Sequence, residues 1–398
     1  MAYFESKRIA GRHYLQIPGP STVPDRILRA MDNATMDHRG PDFGKFTAQL
    51  LEKVKFVFKT TAPVVIYPAS GTGAWEAALA NTLSPGDRVL MCETGWFAHL
   101  WRELAERLGI RPEFIKTDWR RGADVAGIEA RLREDKGHEI KAVAVVHNET
   151  STGSTSRIAE VRAAIDAAGH PALLLVDTIS GLGSMDYRHD EWGVDVTISG
   201  SQKGLMLPPG ISFNAISAKA IRASAEAKIG RSYWDWGPML KSNATGYFPS
   251  TPATTMLYGL DTALDMMAEE GLENVFARHD RHAEATRRAV RAWGLEVQCE
   301  DPRHYSSVLT AVRLPEGHSA NALRATILEQ HNMSLGNGLG QLNDRVFRIG
   351  HLGDFGNLDL VATLGGVEMG LAAAGVPHKP GGVQVAMAYL AGNAGPQG

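Results

Sequence analysis

Between residues 61 and 217 the sequence alternates short apolar runs with helical segments, and no other feature constrains the fold as strongly. The runs expected to form strands are residues 64–67, 88–92, 141–147, 172–176, 194–199 and 211–217. Strands that are joined by helical crossovers imply a mostly parallel, doubly wound sheet, so we expect an α/β protein. In such sheets ligands bind beyond the carboxyl ends of the strands.

The pattern changes after residue 218, and a smaller α+β unit is expected from Gly294 onward, with strands near residues 307–312 and 346–349. The predicted division of the chain is an N-terminal segment that contributes to the site (1–24), a large domain (25–293), a small C-terminal domain (294–390) and a tail (391–398).

Composition and charge exclude several classes of protein. The 398 residues are 44% hydrophobic and 21% charged, which is ordinary for a soluble globular protein. A formal net charge of −3 does not favour a nucleic-acid partner, and no apolar run approaches the roughly 20 residues that span a membrane. The first eight residues contain no apolar signal core, so we expect a cytoplasmic protein. The two cysteines are too few for a disulfide framework or a cysteine-based metal site, and no metal is expected.

The run at residues 194–199 ends in small residues and then presents Lys203. Gly204 and the prolines that follow it punctuate a loop rather than a helix, so Lys203 is expected at the mouth of the sheet. A lone lysine is usually a solvated surface charge. The apolar strand before it and its very small neighbours argue against that interpretation here.

A second apolar run, at residues 172–176, ends in Asp177. An aspartate in such a place is often a helix cap or a turn residue. The pair is more informative than either residue, because pyridoxal 5′-phosphate (PLP) needs a lysine amine for its aldehyde and a carboxylate for its ring nitrogen. Lys203 and Asp177 together therefore suit a PLP site.

Other polar clusters also fall at strand ends. Ser70-Gly71-Thr72-Gly73 is a turn before an alanine-rich helix expected at residues 74–83, and backbone N–H groups at such a place favour an anion such as phosphate. Trp96 follows the next strand, where it would either stack on a flat ring or pack under a loop. The shared position at strand ends favours one common site.

Two arginines are candidates for an anionic ligand. Arg39 belongs to a Gly/Pro loop, Asp37-His38-Arg39, and faces either such a ligand or water. Arg348 lies inside a predicted strand, where most arginines alternate out to solvent. The stretch after it, Gly350-His351-Leu352-Gly353, indicates that a ligand or another backbone approaches there.

Taken in chain order, these stretches resemble the class V aminotransferases of fold type I, specifically the serine–, alanine– and aspartate–glyoxylate group. The resemblance covers nearly the whole chain. The matching stretches are Pro18-Gly19-Pro20, Asp37-His38-Arg39, Ser70-Gly71-Thr72-Gly73-Ala74, Trp96, His147-Asn148-Glu149-Thr150-Ser151-Thr152-Gly153, Val176-Asp177, Ser199-Gly200-Ser201-Gln202-Lys203-Gly204 and Phe347-Arg348-Ile349-Gly350-His351-Leu352-Gly353. The fold implied is a fold-type I PLP transferase.

The resemblance implies roles in cofactor binding. Lys203 would bind PLP covalently and then carry a proton, and Asp177 would keep the pyridine nitrogen protonated. Trp96 would stack on the ring, and Thr150 would lie near its phenolic oxygen. The residues expected at the phosphate are Ser70, Gly71, Thr72, Gly73 and Gln202.

It also implies how the substrates and a second subunit contribute. Arg348 would bind the substrate carboxylate through two parallel hydrogen bonds, with a backbone N–H of Gly19 beside it. In this family the site lies between the subunits of a homodimer. Tyr247 and Thr251 are the candidates to reach the neighbouring phosphate.

The function implied is a PLP-dependent transaminase that passes the amino group of an L-amino acid to glyoxylate, giving glycine and a 2-oxo acid in a ping-pong cycle. L-Serine is the favoured donor, with L-aspartate and L-alanine as alternatives. An aspartate donor would need a second cation, for which Arg39 is the candidate.

Two other functions compete with this one. A cysteine desulfurase shares the fold, but neither Cys92 nor Cys299 lies on an evident active-site lid. A non-catalytic relative would be expected to lose Lys203, Asp177 or Arg348, and all three are present.

Overall fold

The computed structural model describes residues 10–392, so the N-terminal residues inspected for a signal core and residues 393–398 of the predicted tail lie outside it. The strands of the described part are β1 (Tyr14–Gln16), β2 (Val64–Tyr67), β3 (Arg88–Cys92), β4 (Arg111–Ile115), β5 (Ile140–Val146), β6 (Asn148–Glu149), β7 (Ser154–Thr155), β8 (Leu173–Asp177), β9 (Val196–Gly200), β10 (Ser212–Ile216), β11 (Glu296–Val297), β12 (Leu309–Arg313), β13 (Met333–Asn337) and β14 (Val346–Gly350). Its helices are α1 (Asp25–Met31), α2 (Pro41–Lys53), α3 (Lys55–Phe58), α4 (Gly71–Thr82), α5 (Trp96–Arg107), α6 (Val125–Glu134), α7 (Ile158–Ala167), α8 (Ala218–Glu226), α9 (Trp236–Asn243), α10 (Thr254–Glu270), α11 (Leu272–Ala292), α12 (Ala320–His331), α13 (Asn357–Ala373) and α14 (Gly382–Leu390). Across residues 10–392, none of these helices combines the length and the apolar character that a membrane crossing requires.

The larger sheet has the strand order β2-β10-β9-β8-β5-β3-β4. Strand β10 runs antiparallel to both of its neighbours, and the remaining neighbours in the sheet pair in parallel. The predicted α/β architecture with a mostly parallel sheet is therefore confirmed. The carboxyl ends of β5, β8 and β9 meet at one edge of this sheet.

The central strands of the larger sheet are buried on both faces. In β5, Ala142 and Ala144 pack into the core on one side, whereas Val143 and Val145 pack into the core on the other side. Strands covered on both faces read as continuous apolar runs, which is why the sequence revealed them. Helix α4 packs against β9 and β10, so its first turn lies next to the strand ends.

The smaller sheet has the order β1-β13-β14-β12-β11. Strand β1 pairs in parallel with β13, so the N-terminal segment extends this sheet. Helix α11 contributes Leu272 and Phe276 to the core of the larger sheet, but Ala285 and Ala289 to the core of the smaller one. The boundaries at residues 24, 293 and 390 stay predictions.

Candidate active site

A cavity of about 120 Å³ lies at the carboxyl edge of the larger sheet, beside the first turn of α4. It is lined by Ser70, Gly71, Thr72, Trp75, Phe97, Asn148, Thr150, Asp177, Ile179, Ser180, Gln202 and Lys203. The structure thus gathers the predicted lysine, the predicted aspartate, Thr150 and most of the predicted phosphate residues around one space.

Lys203 follows β9 and is buried, because the loop that carries it packs against the N-terminal segment. Its Nζ donates a hydrogen bond to the carbonyl oxygen of Pro18. Gly19 has a φ of 94°, and a Cβ atom at this position would collide with the lysine side chain. Burial lowers the pKa of the Lys203 amine to about 7, and the positive charge of Arg348 acts in the same direction.

Asp177 ends β8 at the other side of the cavity. Its Oδ2 accepts a hydrogen bond from Trp75 Nε1 at 3.0 Å, and its Oδ1 accepts one from the backbone N–H of Ile179 at 2.7 Å. Burial raises the pKa of the Asp177 carboxyl to about 7. Trp75 was not among the predicted site residues, because it lies inside an alanine-rich helix whose pattern indicates packing only.

The phosphate end of the predicted site is the start of α4. The helix begins at Gly71 rather than at residue 74, and the Ser70 side chain makes no capping hydrogen bond. The N–H groups of a first helical turn have no partner within the helix. Oε1 of Gln202 is buried and has no hydrogen-bond partner among the described residues. Gly73 does not line the cavity; a Cβ there would lie 2.8 Å from Ala69 and Trp234 atoms.

These features fit PLP. The N–H groups at a helix start suit a phosphate. The side-chain NH2 group of Gln202, which also lines the cavity, can donate to the same anion. A buried carboxylate that is held by two donors suits a protonated ring nitrogen, and a buried amine with a lowered pKa suits an aldehyde. The residues that face the cavity therefore have the chemistry that each end of this cofactor requires.

The aromatic residues that line the cavity are Trp75 and Phe97, whereas Trp96 does not line it. The indole of Trp96 instead stacks on the His99 ring, with centroids 5.1 Å apart, and packs on the cluster around Trp119. Successive side chains on a helix differ in direction by about 100°, so only one of these neighbours can face the cavity. The sequence did contain a signal for Phe97, because Trp96 and Phe97 are adjacent aromatic residues and either of them could have faced the cavity.

Arg348 lies in β14 and is buried rather than solvated. Its Nε donates to Asn337 O at 2.7 Å and its Nη1 donates to Thr150 O at 2.8 Å. No carboxylate of residues 10–392 forms an ion pair with it. Burial lowers the pKa of the Arg348 guanidinium to about 10, so it stays charged at neutral pH.

The N-terminal segment runs between Arg348 and Lys203. The close approach that was expected at Gly350 is that of a backbone, because a Cβ at Gly350 would collide with Ile17 O. The N–H of Gly19, expected to face the substrate, donates to Ile17 O at 2.7 Å. This segment thus separates the two cations from bulk water.

Besides Gly73 and Trp96, five predicted residues do not line the cavity of their own chain: Gly19, Arg39, Tyr247, Thr251 and Arg348. Arg39 is exposed, and its backbone N–H donates to Asp37 Oδ1. The hydroxyl of Tyr247 donates to Gly40 O at 3.3 Å, and Thr251 is exposed. The structure therefore does not bring Arg39, Tyr247 or Thr251 together with Lys203.

A family model described as aminotransferase class-V matches residues 13–340. The chain belongs to the class V aminotransferases. A serine–glyoxylate aminotransferase of Methylorubrum extorquens is 49% identical over 97% of this chain and 98% of its own length. An L-aspartate–glyoxylate aminotransferase of Paracoccus denitrificans is 46% identical over 92% of each chain. The family resemblance seen in the sequence is confirmed.

Solved structures agree with this class V aminotransferase fold. The crystal structure of ureidoglycine–glyoxylate aminotransferase from Bacillus subtilis superposes with a TM-score of 0.89 at 27% identity, covering 97% of this chain and 100% of that chain. The fold-type I architecture is confirmed.

The positions of the two cysteines argue against a cysteine desulfurase. Cys92 and Cys299 are both buried and do not line the cavity, and burial raises the pKa of each thiol to about 12.

Proposed function

We propose that this class V aminotransferase binds PLP and transfers the amino group of L-serine to glyoxylate, giving glycine and the corresponding 2-oxo acid. The observation that carries the proposal is the convergence of Lys203 and Asp177 on one cavity beside the start of α4. The choice of substrates is supported by the relative named serine–glyoxylate aminotransferase, which is 49% identical over nearly the full length of both chains.

PLP supplies an aldehyde and an electron-accepting ring when it is bound. Asp177 would hold the proton on the ring nitrogen, because its carboxylate is oriented by Trp75 and Ile179. The first turn of α4 and the side-chain NH2 group of Gln202 would donate hydrogen bonds to the phosphate. These contacts fix the cofactor at both ends.

Lys203 would hold the aldehyde end of PLP and, once released from it, move the proton from the Cα atom of the donor. A general base works best when its pKa lies near the working pH. The lowered pKa of about 7 leaves a useful fraction of the Lys203 amine neutral at physiological pH. Its burial also keeps water away from that amine.

Arg348 would orient the carboxylate of each substrate. Its guanidinium is fixed by the carbonyl oxygens of Asn337 and Thr150, and no carboxylate of the described residues competes for it. Both serine and glyoxylate carry a carboxylate beside the reacting carbon. One anchor therefore serves both halves of the ping-pong cycle.

Serine fits the lining of the cavity better than aspartate does. Asn148 and Ser180 are neutral polar groups, and Lys203 is the one side-chain cation that lines the cavity within residues 10–392. A second carboxylate, as in aspartate, would lack a cation of its own there, since Arg39 lies elsewhere. L-Aspartate is the second candidate donor, because one relative carries that activity in its name.

The proposal includes a homodimer in the cytoplasm. Tyr247 and Thr251 lie outside the cavity of their own chain, and Thr251 is exposed. Thr251 is thus available to a second copy of the chain, as the family resemblance implies, whereas the Tyr247 hydroxyl would have to give up its hydrogen bond to Gly40 O.

A panel of donors tests the proposal. Serine, aspartate and alanine are each supplied with glyoxylate to the PLP-loaded enzyme, and the glycine formed is quantified. We expect kcat/KM to be highest with serine. A higher value with aspartate would reassign the donor, and no glycine from any of the three would refute the activity.

A further inference from the structure

Glu149 is a buried carboxylate that the mechanism above does not use. It belongs to β6, next to Asn148 and Thr150 of the cavity wall, and its exposed fraction is 0%. No lysine, arginine or histidine of residues 10–392 forms an ion pair with it. A buried carboxylate without such a partner needs another explanation for its stability.

Four donors surround this carboxylate. Oε1 of Glu149 accepts from the Ser151 hydroxyl at 2.6 Å, from the Ser151 N–H at 3.0 Å and from the Phe97 N–H at 3.3 Å, and Oε2 accepts from the Ala98 N–H at 3.1 Å. Burial raises the pKa of the Glu149 carboxyl above its ordinary value, whereas the hydrogen bonds from Ser151, Ala98 and Phe97 act in the opposite direction. An ionised carboxylate only accepts hydrogen bonds, so a shell made of donors suits the charged form. The N-terminal end of a helix stabilises the same charge.

Glu149 also fixes the aromatic side of the cavity. Two of the N–H groups that it binds, those of Phe97 and Ala98, belong to the first turn of α5, and this turn carries Phe97 into the lining. Gly95, just before the helix, packs so closely on the Glu149 side chain that a Cβ there would collide with it. The position of Phe97 thus depends on the length of the Glu149 side chain.

On its other side, Glu149 is linked to the substrate anchor. The next residue, Thr150, accepts the hydrogen bond from Arg348 Nη1. The negative charge of Glu149 raises the pKa of Arg348 against the effect of burial, and it acts without a direct ion pair. A direct ion pair would occupy the guanidinium edge that a substrate carboxylate needs.

We propose that Glu149 is a positioning residue for transamination, which provides the buried counter-charge of Arg348 while leaving the guanidinium free and holds the helix turn that carries Phe97. The inference rests on the proposed function. It predicts that the charge of Glu149 matters for binding a carboxylate and that its length matters for the position of α5.

The test compares Glu149→Gln with Glu149→Asp in the PLP-loaded enzyme. Glu149→Gln removes the charge but keeps the length, so we expect KM for serine and for glyoxylate to rise by about tenfold while kcat changes less than about threefold. The dissociation constant of glycolate, an unreactive carboxylate, should rise by a similar factor. Glu149→Asp keeps the charge, so the dissociation constant of glycolate should change by less than about threefold in this variant.

The matched control is Asp135→Asn. Asp135 is also buried and accepts hydrogen bonds from Ile140 N–H and His170, but it does not bind the first turn of α5 and is not among the charges that act on Arg348. We expect this control to lower the melting temperature without changing KM or the glycolate constant. A loss of stability alone would then not explain the effect at Glu149.

The outcomes are distinct. Unchanged glycolate binding in Glu149→Gln, or a fall in kcat alone, overturns the inference while the wild-type activity still supports the proposed function. If Glu149→Gln does not fold, the aspartate variant decides, because strong loss of glycolate binding with the charge retained contradicts the counter-charge role. Absence of wild-type transamination would instead refute the proposed function.

Discussion

Arg348 Nη1 donates a hydrogen bond to the carbonyl oxygen of Thr150 at 2.8 Å, and this bond joins the smaller sheet to the turn between β6 and β7. The proposed substrate anchor is therefore carried by β14 and oriented by two carbonyl oxygens, one in β13 and one in that turn. Its distance from Lys203 depends on how the N-terminal segment is held between the two residues.

Arg348→Lys should raise KM for both the amino donor and glyoxylate, because lysine keeps the charge but loses the planar fork that binds a carboxylate through two bonds. Misplacing the reacting carbon should also lower kcat. Steady-state kinetics with serine, aspartate and alanine measure the effect. Arg231→Lys is the control, since Arg231 also donates to backbone carbonyls, those of Ala80 and Ser224, but is not among the charges that act on Arg348.

An effect of Arg348→Lys that is confined to aspartate would contradict this assignment. It would place Arg348 at the distal carboxylate and move the common anchor elsewhere.

Lys203→Met should abolish transamination and leave the apo protein at least as stable as the wild type, because it removes a buried amine whose desolvation opposes folding. The lowered pKa gives a pH signature. Between about pH 7 and the usual lysine value of 10.5, the unfolded chain holds a proton that the folded chain does not. The contribution of the Lys203 amine to the free energy of unfolding of the wild type therefore increases as the pH rises from about 7 to 10.5.

Urea unfolding at about pH 7.5 and about pH 9.5 checks this signature. The free energy of unfolding of Lys203→Met should exceed that of the wild type by less at about pH 9.5 than at about pH 7.5. A difference that does not change with pH, or turnover close to that of the wild type, would count against the assignment of Lys203.

Phe97→Ala should weaken PLP binding, because its ring lines the cavity. An aromatic contact is worth roughly 1 kcal/mol, which corresponds to about a fivefold rise in the dissociation constant. Trp96→Ala is the matched control and should lower stability with little effect on PLP binding, since its indole packs on His99 and Trp119. Spectroscopic titration of the apo variants measures both, and a larger effect at Trp96 would reverse the assignment.

The protein should be a homodimer whose partner completes the phosphate site. Sedimentation should give twice the mass of the chain, and Thr251→Ala should raise the PLP dissociation constant by a few fold through loss of one hydrogen bond. Thr245→Ala is the control, because Thr245 is also exposed and its hydroxyl bonds only to Ser242 O among the described residues. An active monomer would rule out this contribution.

The larger sheet was largely predictable, and its exceptions have physical reasons. Strands such as β5 and β8 are buried on both faces and read as apolar runs. Strand β4 was missed because it contains Pro112 and lies at the edge, where proline is tolerated. Strands β1 and β13 were also missed, since short segments that pair over a long sequence distance leave little periodic signal.

The site was predictable where single residues end strands, as Lys203 and Asp177 do. It was not predictable where the direction of a side chain around a helix axis determines which residue faces the cavity, as for Trp96 and Phe97. The isolation of Arg39 from the cavity also depends on how the chain packs, which local sequence does not encode.

The central claim is that Lys203 holds PLP. Borohydride reduction of the PLP-loaded enzyme, followed by proteolysis and mass spectrometry, locates the cofactor on the chain. We predict a single modified peptide that carries Lys203, with loss of the visible absorbance and of serine–glyoxylate transamination in parallel. Modification of another lysine, or complete inactivation without a modified Lys203, would contradict the account.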